Sequence, residues 1–284
     1  MTEKSKAAKR AYRYISIALL IFIMTALTVL ILYPMLFVLS TSFKSYTEFL
    51  ARPFALSLTH PENYVVAWRD GKFGTYFINS VIVTGLTVVT KVLMSALVAY
   101  CVGVLAFKGS RLMTAVIIST MFFTGEITGI PLFILTREIG ALNTIWALIL
   151  PGILSPAGMG ALLGVSYVKK IPKELHEAAI LDGSGLVKMF FYLDFRLMFP
   201  MMALVAIQTF TASWSDFFWP LITITTNDSA KTLPLGLINF QSQNNVNYGV
   251  LSAGLCILTV PIVVLYCFLS KYFIEGVAAG AIKG

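Results

Sequence analysis

Long apolar runs alternate with short polar segments along this sequence of 284 residues. A helix that crosses a bilayer needs about 20 consecutive apolar residues, and six runs reach that length. The pattern predicts an all-α membrane protein with six transmembrane helices, and Gly125, Gly129 and Pro131 are expected to interrupt the third. The first run is too long for the core of a signal peptide, so we expect it to remain as a helix. The runs cover approximately residues 14–39, 75–105, 113–135, 144–167, 199–223 and 248–273.

The polar segments divide the chain into three parts. We expect residues 1–13 to form a basic tail that frays, residues 14–274 to form the transmembrane domain, and residues 275–284 to form a second short tail. The long polar segment 41–74 is predicted to hold a short surface helix near residues 63–68.

The composition agrees with a membrane protein. Hydrophobic residues make up 58% of the chain and charged residues only 12%, and the mean hydropathy is +0.84. Soluble domains carry roughly 25% charged residues, so a soluble enzyme or binding domain is excluded. The formal net charge is +8, but the basic residues lie mostly between the apolar runs. Membrane lipid and topology therefore explain this charge, and no nucleic-acid partner is expected.

The distribution of lysine and arginine predicts the orientation. If the N-terminus is cytoplasmic, the cytoplasmic segments hold 14 of the 21 basic residues and the external segments hold six. Positive residues are enriched in cytoplasmic loops of membrane proteins. We therefore expect a multi-pass protein with both termini in the cytoplasm.

The cytoplasmic loop 169–197 is the most charged segment between the first and last apolar runs. Pro172 suits the first turn of a helix, where its missing N–H is not needed. Asp182 and Gly183 indicate the end of that helix, because glycine adopts the left-handed cap conformation readily. A second, more apolar helix is expected to begin near Ser184. The loop is therefore predicted to be two short helices joined at a glycine, which protrude from the membrane rather than span it.

The same loop carries a spaced pattern: Glu-Ala-Ala, two further residues, Asp-Gly, and then Phe190 and Pro200. This pattern resembles the EAA loop of inner-membrane permease subunits of bacterial ATP-binding-cassette importers. Ser184 stands where the motif usually has alanine, and Arg196 where it usually has a first proline. The resemblance implies a type I importer permease whose cytoplasmic EAA coupling helix docks in a cleft of a separate ATPase. The residues that it assigns to docking are Glu177, Ala178, Ala179, Asp182, Gly183, Ser184 and Phe190.

The end of the chain resembles the C-terminal signature of the same family, which contacts the ATPase subunits. The resemblance assigns that contact to Gly280, Lys283 and Gly284, and the alternative is a flexible end. It also implies four partners in the bacterial plasma (inner) membrane and at its surfaces. These are a second homologous permease subunit, two ATP-binding-cassette ATPase subunits that hold ATP and magnesium, and an extracellular solute-binding protein.

Two further segments resemble the carbohydrate-uptake, maltose-type branch of these permeases, which implies a sugar substrate. Residues 211–220 are rich in aromatic side chains, and Trp214 and Asp216 are candidates for the translocation path. The alternative for the aromatic residues is a belt at the outer membrane interface. The amide-rich segment 232–249 either reaches into the solute-binding protein or is only a solvated loop. The residues assigned to that contact are Gln241, Gln243, Asn244 and Asn245.

Two charged residues interrupt the apolar runs. Lys91 lies 18 residues before Gly109, the centre of the turn between the second and third runs, and Glu126 lies 17 residues after it. At about 1.5 Å per residue, both lie roughly 25–27 Å from the turn and hence at similar depth. A lone charge at the bilayer centre costs about 2.5–3.5 kcal/mol, so we expect the two to pair or to share a hydrated pocket on the translocation path. Alternatively, Lys91 snorkels toward the membrane surface or bonds a backbone carbonyl, and Glu126 stays protonated.

Signatures of catalysis are missing from the sequence. It has no G-x4-GK-[ST] nucleotide motif, no HExxH, no GxSxG and only two histidines, so we expect no metal and no cofactor in this chain. Three function classes remain: a permease subunit driven by a separate ATPase, a self-contained channel or ion-coupled secondary transporter, and a membrane-embedded enzyme. The helix–glycine–helix loop and the C-terminal tail favour the first. We therefore expect the permease of an ATP-driven oligosaccharide importer that is not itself an enzyme.

Overall fold

A computed structural model describes the backbone of residues 3–123, 125–155, 157–242 and 245–281. It describes the side chains of residues 12–123, 127–155, 157–240 and 246–270. The chain forms two compact units. The first unit comprises Met1–Gly71 and Asn239–Ile257, and the second comprises Lys72–Ile238 and Leu258–Gly284.

Helices make up nearly all of the described secondary structure. The first three are α1 (Glu3–Thr41), α2 (Tyr46–Ala51) and α3 (Glu62–Arg69). Eleven more lie in the second unit: α4 (Phe73–Ala99), α5 (Ser110–Thr120), α6 (Gly125–Glu138), α7 (Trp146–Leu154), α8 (Gly158–Val168), α9 (Lys173–Leu181), α10 (Leu186–Met189), α11 (Phe195–Leu197), α12 (Phe199–Trp214), α13 (Phe218–Thr223) and α14 (Leu233–Gly236). The last, α15 (Tyr248–Ala281), begins in the first unit and continues in the second from Leu258.

Short segments of other types complete the backbone. The π-helical segments are Tyr100–Val104 and Phe190–Asp194, and the 3₁₀ segments are Asp228–Ala230 and Leu237–Phe240. Two antiparallel strands of two residues each, β1 (Gln241–Ser242) and β2 (Asn245–Val246), form a small hairpin in the amide-rich segment. The predicted all-α class therefore holds apart from this hairpin.

Four helical stretches are long and apolar enough to cross a membrane, or up to five if a bent pair counts as one span. The four are Tyr12–Thr41, Phe73–Val104, Trp146–Val168 and Tyr248–Ser270. The bent pair is Leu186–Leu197 with Phe199–Trp214, whose axes meet at 74°.

The third predicted span does not qualify, because α5 and α6 are separated by residues 121–124 and each is too short. The interruption lies before Gly125, and both Gly129 and Pro131 lie inside α6. The fourth run is divided too, between α7 and α8. Its break follows Ser155, which precedes a proline and is extended, with φ −67° and ψ 146°.

The polar segments contain more helix than the sequence indicated. The predicted surface helix is confirmed as α3, but α2 was not foreseen. The N-terminal tail is helical rather than irregular, because α1 already begins at Glu3, and its fraying stays a prediction. Lysine, alanine and arginine favour helix, so the basic tail continues the apolar helix that follows it.

The first unit is organised around a buried lysine. The Lys44 side chain is fully buried, and its Nζ donates to the backbone carbonyls of Pro53 (2.7 Å) and Arg52 (3.3 Å) at the end of α2. The Lys44 carbonyl accepts from the amide of Asn63 at 2.9 Å. A Cβ added at Gly249 would lie 2.2 Å from that carbonyl, so only glycine fits there. These contacts tie α2, α3 and the start of α15 together.

In the second unit, α4 packs against α8 and α12. Glycines on α8 allow the close approach: a Cβ at Gly160 would lie 2.4 Å from the Ser95 hydroxyl, and one at Gly164 would lie 2.7 Å from the Ala99 side chain. Small residues at helix interfaces are typical of membrane helices. The largest core cluster joins these helices to the segment after α9, and its buried members include Tyr100, Met198, Met201, Met202, Val205 and Phe190.

Candidate docking site and membrane path

The predicted helix–glycine–helix loop is present in the structure. Its first helix, α9, begins directly after Pro172, and Glu174 lies in its first turn, where a negative charge favours the helix dipole. At its end Gly183 has φ +74°, the N–H of Gly183 donates to the Ile180 carbonyl at 2.9 Å, and the N–H of Ser184 donates to the Ala179 carbonyl at 3.0 Å. This is a Schellman cap, which requires a left-handed residue at the glycine position.

The assigned docking residues occupy two environments. Glu177, Ala178, Asp182 and Gly183 are exposed, whereas Ala179 and Ser184 are partly buried. The same helix exposes apolar side chains that the sequence reading did not single out: Leu181 is 88% exposed and Ile180 is 59% exposed. Neighbouring exposed apolar side chains beside charged ones, on a helix without buried residues, suit a protein-binding surface.

Phe190 lies in the core and not on the exposed face. Its side chain is 3% exposed, and its ring centroid lies 5.2 Å from that of Tyr100. The Tyr100 hydroxyl donates to the Leu186 carbonyl at 2.9 Å. These contacts attach the second helix of the loop to the end of α4. The position of Phe190 therefore suits anchoring the loop rather than direct contact with a partner.

One polar contact in this region was missed by the sequence analysis. His176 on α9 and Asp194 at the end of the π-helical segment lie 2.7 Å apart, Nε2 to Oδ1. The Asp194 side chain is fully buried, and that of His176 is 13% exposed. A histidine on a charged helix and an aspartate 18 residues later carry no local signal that they meet, so only their packing brings them together.

The Trp214 side chain does not line a path in this structure, whereas the belt alternative for the other aromatic residues stays open, since Phe218 is 67% exposed. The side chain of Trp214 is 1% exposed, its Nε1–H donates to the Leu258 carbonyl at 2.9 Å, and its ring stacks on Phe210 at 5.3 Å. A fully packed indole presents no face to a sugar or to lipid. Asp216 occupies the gap between α12 and α13, where its Oδ1 accepts from the N–H of Trp219 at 3.2 Å. This bond lies at the start of α13, and a place for Asp216 on the translocation path stays a prediction.

Lys91 lies on α4, facing the break between α7 and α8. Its Nζ donates to the hydroxyl of Ser155 at 2.5 Å and to the carbonyl of the same residue. The carbonyl contact that the sequence analysis left as an alternative is thus present. The side chain of Glu126 lies outside the described residues, so pairing with Lys91 stays a prediction. The depth argument for that pair is weakened, because the third run is not one continuous helix.

The remaining predicted contact residues are only partly described. Gln241 and Asn245 lie in β1 and β2, and their side chains are outside the described residues, as are Gln243 and Asn244 entirely. Gly280 lies within α15, which extends past the predicted end of the last span. Lys283 and Gly284 are outside the described residues. Among the side chains that the structure describes, no group of three histidine, cysteine or acidic residues could hold a metal ion.

Comparison with known proteins gives these features a family. The family described as "Binding-protein-dependent transport system inner membrane component" matches residues 64–277. The chain is 36% identical to the probable ABC transporter permease protein YurM of Bacillus subtilis (strain 168), over 89% of this chain and 84% of that protein. It is 32% identical to the diacetylchitobiose uptake system permease protein NgcG of Streptomyces coelicolor, over 100% and 93%. It is 31% identical to the trehalose/maltose transport system permease protein MalG of Thermococcus litoralis, over 91% and 94%.

The fold also matches a solved structure. A chain in the crystal structure of a bacterial ABC transporter involved in the import of the acidic polysaccharide alginate superposes with a TM-score of 0.78. The match covers 94% of this chain and 98% of the other, at 22% identity, so it concerns the fold alone. The family match covers three quarters of the sequence and includes the loop with α9. The protein therefore belongs to the inner-membrane permease components of binding-protein-dependent ABC transport systems.

Proposed function

We propose that this chain is one of two permease subunits of an ATP-driven importer of oligosaccharides. The observation that carries the proposal is α9, a helix without buried residues that exposes charged and apolar side chains within a matched permease family. ATP hydrolysis belongs to a separate ATPase, and this chain supplies the path and the docking helix.

The ATPase would dock on α9. Glu177, Ala178 and Asp182 form the polar part of the exposed surface, and Leu181 supplies apolar area that water alone would leave uncovered. Gly183 forms the turn that joins α9 to the helix that follows it. In the proposed orientation both termini and α9 face the cytoplasm, as the distribution of basic residues predicts. The C-terminal residues Gly280, Lys283 and Gly284 would contact the same partner.

A second permease subunit is supported by α1. The most apolar stretch of 18 residues within Tyr12–Thr41 has a mean hydropathy of 2.9, and none of that stretch is buried inside this chain. Lipid covers such a helix in part, and a second permease would cover the rest. Together with α1, we count α4, the pair α5 and α6, the pair α7 and α8, the pair α12 and α13, and α15 as six spans.

The substrate is proposed to be an oligosaccharide because several relatives are named for such sugars. Their names include arabinooligosaccharides, diacetylchitobiose, and trehalose or maltose. The family name itself implies a solute-binding protein. We place its contact on the external hairpin with Gln241, Gln243, Asn244 and Asn245. Lys91 and Glu126 remain the candidates for polar positions on the path.

The test is uptake by cells that lack the chain and then regain it. Radiolabelled maltose, trehalose, diacetylchitobiose and arabinooligosaccharides should include at least one sugar that is taken up only when the chain is present. Uptake should stop when ATP is depleted while the ion gradients are maintained. Uptake that follows an ion gradient and ignores ATP would instead identify the chain as an ion-coupled transporter.

The docking surface is tested with Leu181→Asp. A charge at this exposed apolar position should remove the ATPase that co-purifies with the tagged chain, and uptake should fall with it. Leu58→Asp is the matched control, because Leu58 is 76% exposed in the segment predicted to be external. Equal ATPase retention in both variants would contradict docking on α9.

A further inference from the structure

The contact between His176 and Asp194 belongs to none of the residues assigned to docking or to the path. It joins α9 to the helical segment that follows it and crosses 18 residues of sequence. Both side chains belong to the second unit. The contact is thus a link between the proposed docking helix and the rest of the subunit.

The burial of Asp194 makes its carboxylate costly in free energy unless that carboxylate is hydrogen-bonded. The carboxylate is fully buried, and its Oδ1 is hydrogen-bonded to Nε2 of His176. Its Oδ2 has no hydrogen-bond partner in the part of the chain that the structure describes. A buried carboxylate with an unsatisfied oxygen is costly, so the bond that it does form is important for keeping it in place. A leucine or phenylalanine at this position would pack without such a cost. Packing alone therefore does not account for an aspartate.

The position of the pair along α9 gives the bond a mechanical consequence. At the end of α9 the chain turns through Gly183, and glycine is the residue whose backbone has the widest range of conformations. His176 lies seven residues earlier, which is about 10 Å along the helix at 1.5 Å per residue. Ala179 packs against the core cluster between these two points. The hydrogen bond at His176 adds a polar attachment, so α9 is held there as well as at its end. We call this bond the brace.

The other end of the bond lies where movement would enter the membrane domain. Asp194 ends the π-helical segment Phe190–Asp194, four residues before Met198, where the helix bends by 74° into α12. π-helical turns are rare and occur frequently at functional sites. A displacement of α9 would therefore be transmitted through Asp194 to the start of α12.

We propose that His176 and Asp194 are positioning residues for energy coupling: their bond makes α9 and the segment Leu186–Leu197 move as one body. The inference rests on the proposed function, because it assumes that an ATPase moves α9. Neither residue needs to touch the ATPase or the sugar. Without the bond, α9 still docks and the ATPase still hydrolyses ATP. Part of the movement of α9 is then absorbed at Gly183 and does not reach the segment Leu186–Leu197.

The experiment uses the complete transport complex, purified through a tag on this chain and reconstituted with its binding protein in proteoliposomes. ATP hydrolysis and uptake of the labelled sugar that the wild type transports are measured in the same vesicles. His176→Ala should raise the ATP consumed per sugar roughly fivefold, as expected for the loss of one hydrogen bond. His176→Gln keeps an N–H donor toward Asp194 and should restore most of the wild-type ratio. His60→Ala, in an exposed histidine–glutamate pair, should leave the ratio unchanged.

Three results would overturn the inference: an unchanged ratio in His176→Ala, an equal change in His60→Ala, or no rescue by glutamine. If His176→Ala does not insert, Asp194→Asn provides the test, because it keeps the size of the side chain and weakens a charge-assisted bond by roughly half. Its ratio should rise in the same direction, and an unchanged ratio also overturns the inference. If the wild-type chain retains no ATPase, the proposed function itself fails. If the wild type retains its ATPase and transports, and the variants consume the same amount of ATP per sugar, the proposed function stands and only the inference about the brace between His176 and Asp194 is wrong.

Discussion

The chain contains two histidine–carboxylate pairs that share their chemistry and differ in setting. His60 and Glu62 lie 2.5 Å apart at the start of α3, two residues from each other, and both are exposed (37% and 59%). His176 and Asp194 lie 2.7 Å apart across 18 residues and are nearly or fully buried. Exposed ion pairs are screened by water and contribute little, whereas breaking one side of a buried pair leaves an uncompensated polar group. The comparison teaches that burial and sequence separation, rather than residue types, decide what such a pair does.

The largest difference is expected when the carboxylate is removed. Asp194→Ala leaves His176 without its partner and opens a cavity beside the core cluster, so the free energy of unfolding should fall by about 3–5 kcal/mol. Glu62→Ala should leave the stability unchanged within error. Thermal unfolding of the purified variants in one detergent measures both. Equal losses would show that the two pairs do not differ as their burial indicates.

The next effect concerns the turn that brings α9 back toward Asp194. Gly183 has φ +74°, so Gly183→Val should strain the cap by roughly 1–3 kcal/mol and should weaken the buried pair without touching the exposed one. Gly185 is the matched control, since its φ is −71° and a Cβ at either glycine would meet nothing within 4 Å. Uptake and unfolding should both change in Gly183→Val and remain near wild type in Gly185→Val. The reverse order would refute the assignment of the turn.

High salt should change the coupling energies of the two pairs differently, by a smaller effect than the substitutions above. At about 1 M salt the Debye length falls to about 3 Å, so an exposed pair is screened more strongly than a buried one. Double-mutant cycles with His60→Ala and Glu62→Ala, and with His176→Ala and Asp194→Asn, should be measured at low and high salt. The coupling of the exposed pair should fall with salt, and that of the buried pair should stay nearly constant. A buried coupling that also falls with salt would indicate that water enters the pair.

The smallest effect is a titration. The hydrogen bond from His60 lowers the pKa of the Glu62 carboxyl below its ordinary value of 4.5. A lowered pKa means that the pair contributes above pH 4.5 and is lost as the pH falls through the lower folded value. His60→Ala should raise the pKa of Glu62 toward 4.5, as followed by the NMR shift of its carboxyl carbon. An unmoved titration would show that the histidine is not the cause.

The docking loop was predictable because its signals are local. The helix after Pro172, its end at Asp182 and the left-handed Gly183 follow from backbone preferences of a few adjacent residues, and the structure has all three. The short helix α3 was predicted for the same reason. The path residues were less predictable. The sequence predicts an interfacial or sugar-facing position for Trp214. In the structure its Nε1–H donates to the backbone carbonyl of Leu258, 44 residues later, and the side chain lies in the core.

By itself, the sequence determined that this is a membrane protein with a protruding helix–glycine–helix loop, because apolar run length, charge distribution and glycine positions act locally. The tertiary structure alone decided which polar side chains meet. Lys44 donates to the carbonyls of Arg52 and Pro53 just after α2, Lys91 contacts Ser155 across 64 residues, and His176 contacts Asp194 across 18. A polar group in a mostly apolar chain must satisfy its hydrogen bonds wherever packing places a partner. That partner is set by how helices approach one another, and no local pattern records it.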